Sequence, residues 1–158
     1  MRILHLEDRG SVSHYVKELL EEDERHEVQM AFSISDAQSF WKPQASQQDP
    51  RGIGTIDCII ADLNLNPQGL KEEERAETRG GLLTGWIWLR NYVFSEQPQM
   101  RKRTVIYSEY VVDLRSHVPP ENLRDIRIIG KRGASSPLRM LRDAVREIAD
   151  DLLRERQR

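Results

Sequence analysis

The 158-residue sequence contains a single cysteine, Cys58, so no disulfide can form within the chain and the fold must be held by packing. A lone thiol suits a reducing compartment, and its place in the apolar run IDCIIADL marks it as a buried structural residue rather than a reactive one. Long hydrophobic runs are missing too: no apolar stretch approaches the roughly 20 residues needed to cross a bilayer. The opening MRILHLED meets an acidic pair before a signal-peptide core could form, so a soluble, cytoplasmic protein without membrane contact is expected. No charge sign predominates, with 24 Lys and Arg against 26 Asp and Glu and a net charge of −2. A global field that would draw the chain to nucleic acid is therefore excluded. There is no zinc-type Cys/His spacing, no GxxxxGK or GxGxxG phosphate turn, and no internal repeat.

What the sequence does contain is 38% hydrophobic and 32% charged residues, enough for one core under a charged surface. The length suits one domain, expected over residues 1–153, with residues 154–158 fraying as a polar tail. Apolar runs predict strands over Arg2–Leu6, His26–Ala31, Ile56–Leu63, Thr104–Tyr107 and Ile126–Gly130. The run IDCIIADL is nearly continuous, as expected of a parallel strand covered on both faces. Between the strands, apolar residues recur at helical spacing. Val12, Tyr15, Val16, Leu19 and Leu20 form one such stripe, capped by Ser11 or Ser13. A short helix carrying Ala37, Phe40 and Trp41 is capped by Ser35, and Leu82, Leu83, Trp86 and Leu89 mark a helix that resumes near Gly81. A short helix is expected over Val111–Val118, and the last one is capped by Ser136 with Pro137 in its first position. Two stretches read as loops: Pro43–Gly54, rich in Gln, Ser, Pro and Gly, and the long polar stretch Asn66–Gly80 after strand 3. Five alternations of strand and helix imply an α/β fold, a doubly wound parallel sheet with helices on both faces.

In such a sheet, sites form beyond the carboxyl ends of the strands. Glu7 and Asp8 stand at the end of strand 1, Asp62 at the end of strand 3, Ser108 of strand 4 and Lys131 of strand 5. Carboxylates held close together repel, and a hard divalent cation such as Mg²⁺, with its preference for oxygen ligands, relieves that repulsion. One carboxylate can instead attack phosphorus, while the metal and an ammonium offset the charge on the transferring phosphoryl oxygens. A strand-4 hydroxyl can hydrogen-bond one of those oxygens. An ED pair or a lone lysine is a weak signal; all of these residues in order at alternating strand ends are a strong one.

Over nearly its whole length the chain resembles the response-regulator receiver family, whose fold is the five-stranded flavodoxin or CheY-like sheet. The residues that carry the resemblance are the acidic pair Glu7–Asp8, Asp62 in IIADLNLNP, Ser108 in VIYSEY and Lys131 in IIGKRG. The resemblance implies a two-component signalling phosphoprotein that accepts a phosphoryl group on Asp62 from a histidine kinase or a phosphotransfer protein. Ser108 and Lys131 would assist, and Mg²⁺ would be held by Glu7, Asp8, Asp62 and the backbone carbonyl of Asn64. Asp8 is the surer carboxylate ligand, and Glu7 acts directly or through water. The output would be an altered contact with a downstream protein, with homodimerisation as a further possibility. A catalytic cycle beyond self-dephosphorylation is not implied. A phosphohydrolase on the same sheet typically carries a second acid two residues after its nucleophile, and Asn64 stands there.

The chain departs from the family pattern in several places. Arg132 follows Lys131 where Pro is usual, Glu109 follows Ser108 where a small residue is usual, and Ile128 occupies the place of an aromatic. Glu109 would repel a phosphorylated Asp62 unless it points away or pairs with Arg132. These departures motivate a second reading, a pseudo-receiver that serves as a constitutive adaptor or dimerisation module. The segment Lys71–Arg79 reads either as a solvated loop or as a lid beside Asp62. Trp86 is explained by core packing; Trp88 falls off that stripe, which opens the alternative of an exposed interface residue. His5 reads as core or interface, and His14, His26 and His117 as solvated. The Arg-rich last helix reads as a salt-bridged surface rather than a DNA-binding one.

Overall fold

The computed structural model describes residues 1–41, 56–132 and 136–157. The expected loop Pro43–Gly54 lies outside these residues. The sheet is built from β1 (Arg2–Leu6), β2 (Glu27–Ala31), β3 (Cys58–Ala61), β4 (Thr104–Ser108) and β5 (Arg127–Gly130). All five strands are parallel, in the order β2-β1-β3-β4-β5. The connections are α1 (Gly10–Glu21), α2 (Ile34–Trp41), α3 (Glu72–Glu77), α4 (Thr84–Trp88) and α5 (Val111–His117), and α6 (Pro137–Arg156) follows the last strand. The doubly wound parallel sheet read from the sequence is the fold of the chain.

Strand periodicity sorts the core into two layers. Leu4, Leu6, Ile59, Ala61 and Ile106 pack on one face with Ile34, Trp86, Trp88, Leu89 and Leu114. Ile3, Cys58, Ile60, Val105 and Tyr107 pack on the other with Val16 and Leu20 of α1 and Leu141, Val145, Ile148 and Leu152 of α6. Neighbouring residues of one strand therefore serve opposite layers, and β3 is buried at every position.

Several local expectations are revised. Trp88 is fully buried in the first layer, so it offers no interface. It lies off the Leu82–Leu89 stripe, yet every residue of α4 from Thr84 to Trp88 is buried, so this helix has no solvent face on which to place it. Ser13 lies within α1 and approaches His5 Nδ1 at 3.5 Å, while Arg9 occupies the cap position. Ser33, not Ser35, caps α2 by accepting from the Asp36 amide at 3.1 Å. Ser136 precedes α6 without a side-chain capping bond, and that helix reaches Arg156, inside the stretch expected to fray. The His26 side chain is only 5% exposed, against the expectation of a solvated ring.

The long stretch after β3 is not a plain loop. It holds α3, which docks through one buried acid. Glu74 accepts from the Lys71 amide at 2.9 Å, from Asn91 Nδ2 at 3.0 Å and from the Tyr92 hydroxyl at 2.7 Å. Glu77 adds an ion pair with Arg90 at 2.7 Å. The segment is thus tied to the π-helical turn Leu89–Phe94 that follows α4. No helix among the described residues is long and apolar enough to cross a membrane.

Candidate functional site

The ladders of the sheet extend one residue past the strands and so fix the site. Glu7 donates its amide to the Ala31 carbonyl at 3.0 Å, Asp62 to Leu6 at 2.9 Å, and Lys131 to Ser108 at 2.9 Å. Three side chains are thereby presented from backbone that is still held in the sheet, with Ser108 as the last residue of β4. This is the rim at which the sequence placed them.

At its centre lies Asp62, 5% exposed. Its Oδ1 accepts from the Ser108 hydroxyl at 2.5 Å and from the Leu63 amide at 2.6 Å, and its Oδ2 accepts from Lys131 Nζ at 2.7 Å. Lys131 also donates to Glu7 Oε2, so one ammonium joins two carboxylates, and Glu7 is wholly buried. Burial pushes the Asp62 carboxyl up, but the Lys131 charge, the hydrogen bonds from Lys131 and Ser108, and the Leu63 amide outweigh it, so Asp62 is held below the ordinary carboxylate value. Behind it, burial and the Lys131 charge push the imidazole of His5 down to about 3, opposed in part by Asp62, so His5 is a neutral core residue. Ser108 also accepts from the Tyr110 amide at 3.2 Å, so the cap-like and site roles coexist in one hydroxyl.

Of the residues singled out in the sequence, Glu7, Asp62, Ser108 and Lys131 come together. Asp8 is exposed beside Glu7, and Asn64 is half-buried. Among the described residues, no three His, Cys, Asp or Glu side chains are gathered closely enough to hold a metal ion. Glu109 pairs with Arg132 at 2.9 Å, one of the two arrangements that spare Asp62 from its charge.

Two residues were missed. Arg9 donates its backbone amide and Nε to Glu7 Oε1 at 3.0 and 3.3 Å, and its Nη2 lies 3.9 Å from Asp62 Oδ2. The available signal was a basic residue directly after an acidic pair. Gly85 opens α4 against the Asp62 backbone: a Cβ there would lie 1.9 Å from the Asp62 carbonyl oxygen. Its amide donates to the Leu63 carbonyl at 3.0 Å, so the turn after β3 and the start of α4 are in direct contact.

No protein-family model and no curated protein match the sequence. Solved structures do match over nearly all of it. A response regulator receiver domain protein from Clostridium thermocellum is 20% identical with a TM-score of 0.63, covering 96% of this chain and 98% of its own. A CheY-like receiver domain protein from Methanospirillum hungatei JF-1 is 16% identical with a TM-score of 0.63, covering 98% and 97%. The response regulator TrrA from Thermotoga maritima, solved in complex with Mg²⁺ and BeF, is 15% identical with a TM-score of 0.58, covering 93% and 97%. The fold of this chain is thus the CheY-like fold of receiver domains, and the resemblance read from the sequence extends to its three-dimensional structure.

Proposed function

We propose that the chain is a phosphoryl-accepting receiver module. Asp62 attacks the phosphorus of a phosphohistidine on a histidine kinase or phosphotransfer protein; the P–N bond breaks, and the leaving nitrogen takes a proton. The observation that supports this most is the convergence of an ammonium, a hydroxyl and a carboxylate with depressed proton affinity on one nearly sealed rim. Asp62 is ionised at neutral pH and so is available as a nucleophile. Lys131 holds it and balances charge, and Ser108 offers a hydroxyl to a phosphoryl oxygen.

Mg²⁺ fits this site in donor chemistry: Glu7, Asp8, Asp62 and the Asn64 carbonyl are hard oxygen donors, and Glu7 and Asp62 already share a cation. When bound it would neutralise charge on the phosphoryl oxygens. The TrrA complex holds both Mg²⁺ and a beryllium fluoride, which supports carrying the chemistry over to this chain. The module would act in the cytoplasm through a protein partner. The test is incubation with phosphoramidate and Mg²⁺ followed by intact-mass measurement. One added phosphoryl group, absent in Asp62→Asn, supports the reading; no mass gain, or a gain kept by Asp62→Asn, removes it.

A pseudo-receiver is the second reading, favoured by one observation: the Glu7 oxygens already accept from Arg9 and Lys131, so two built-in cations neutralise the acids. It predicts no calorimetric signal on Mg²⁺ addition and partner binding unchanged in Asp62→Ala. A Mg²⁺ signal that is lost in Asp8→Ala counts against it.

A further inference from the structure

Two of the residues that depart from the family pattern, Glu109 and Arg132, form one chain of charges with Arg9 beside Asp62. Arg9 Nη1 lies 3.5 Å from Glu109 Oε1, and Glu109 Oε2 lies 2.9 Å from Arg132 Nη2. Arg9 is anchored near its base, where its backbone amide and Nε both donate to the buried Glu7 Oε1. The two terminal nitrogens are left to straddle Asp62 on one side and Glu109 on the other. At 3.9 Å from Asp62 Oδ2, Nη2 is within ion-pair range but too far to hydrogen-bond. The guanidinium is therefore close to the phosphoacceptor without being committed to it.

Phosphorylation changes the demand for donors at this point. It adds roughly −1.5 to −2 of charge and three strong acceptor oxygens. Lys131 already directs two of its three donors to Glu7 and Asp62. Ser108 supplies one hydroxyl. Arg9 is a nearby cation whose Nη1 and Nη2 sit at ion-pair distances of 3.5 and 3.9 Å, and its planar guanidinium has the geometry that binds phosphoryl oxygens in a bidentate way. A group added to Asp62 Oδ2 extends outward from the carboxylate, and the fork ends 3.9 Å from that oxygen. Glu109 lies beside the other terminal nitrogen, Nη1, and competes for the guanidinium. Glu109 also pairs with Arg132 at 2.9 Å, so that carboxylate would keep a partner if Arg9 turned to a phosphoryl group.

We propose that Arg9 is a phosphoryl-binding residue, held between Glu7, Asp62 and Glu109, and that Glu109 competes with the phosphoryl group for it. This rests on Asp62 being the phosphoacceptor. The structural alternative, that Arg9 is an ordinary half-exposed ion pair, predicts almost no effect on anion binding, because such pairs contribute little.

The test is a fluorine NMR titration of the full chain with beryllofluoride in the presence of Mg²⁺. The expected result is that Arg9→Ala weakens binding about tenfold, the order expected for losing a hydrogen bond between charged groups. Arg9→Lys restores part of it, because a point charge replaces the fork. Glu109→Gln tightens binding, and more so when Arg9 is present than in an Arg9→Ala background. Circular dichroism identifies any variant that fails to fold; if Arg9→Ala does, Arg9→Lys and Glu109→Gln still decide the matter. Wild-type affinity in Arg9→Ala, or in folded Arg9→Lys together with an unchanged Glu109→Gln, overturns the role of Arg9 and leaves the receiver reading intact. If the wild-type chain neither binds beryllofluoride nor gains mass with phosphoramidate, both fail together.

Discussion

The Lys131 ammonium lies 2.7 Å from Oδ2 of Asp62, across 69 residues of sequence, and donates to Glu7 as well. Glu7 is fully buried and Asp62 nearly so. Removing the shared cation therefore leaves two carboxylates close together with little water. Lys131→Ala is expected to cost about 3–5 kcal/mol, the penalty for breaking a buried pair. Denaturant unfolding measures this. Adding Glu7→Gln to Lys131→Ala should recover part of the loss, and no recovery would show that the two acids are not coupled through the lysine.

Gly85 is a steric requirement of the site. A methyl group there meets the Asp62 carbonyl oxygen at 1.9 Å, and backbone rather than a flexible side chain must yield. Gly85→Ala is expected to lose at least about 3 kcal/mol, the upper part of the overpacking range. Gly10→Ala, with open space around its Cβ position, serves as the control and should be close to neutral by urea melts.

The docking of α3 depends on ionised Glu74. Burial pushes its carboxyl up, but the bonds from Tyr92, the Lys71 amide and Asn91, together with the Lys71 charge, bring it below its ordinary 4.5. A carboxyl lowered in the fold stabilises above its unfolded pKa, and that stability is lost as pH falls through the folded value. Glu74→Ala should cost about 1–3 kcal/mol at neutral pH, since buried donors lose their acceptor. The gap between wild type and variant should narrow below about pH 4. A gap that stays constant down to acid denaturation contradicts this assignment.

Cys58 should be inert in the native state. Burial raises its thiol from 9.0 to about 12. The unfolded thiol ionises first, so this group favours unfolding as pH rises above about 9. Iodoacetamide at pH 8 should leave the folded chain unmodified and label it in denaturant. Rapid native alkylation would show that β3 opens locally.

The architecture and the core of the site were legible for one reason. Parallel strands buried on both faces are written as apolar runs, and the polar residue that ends each run stands at the rim where ligands bind. Asp62, Ser108 and Lys131 followed from that alone. What was not legible depends on the direction of side chains. Arg9 looks like a solvated charge until the fold brings its guanidinium between the carboxylates of Asp62 and Glu109. Glu74 sits in a run of acids whose sequence does not show which one faces inward. Trp88 was placed by the spacing of one apolar stripe, whereas α4 is buried at every position and has no solvent face. The approach of Gly85 to the Asp62 carbonyl is a tertiary contact with no sequence period.

The most direct measurement is chemical identification of the modified residue. After phosphoramidate and Mg²⁺ treatment, borohydride reduces an aspartyl phosphate to homoserine, which peptide mass spectrometry locates. The account predicts homoserine at position 62. An unmodified Asp62 peptide, or reduction at Asp8, Glu7 or any other residue instead, would contradict it.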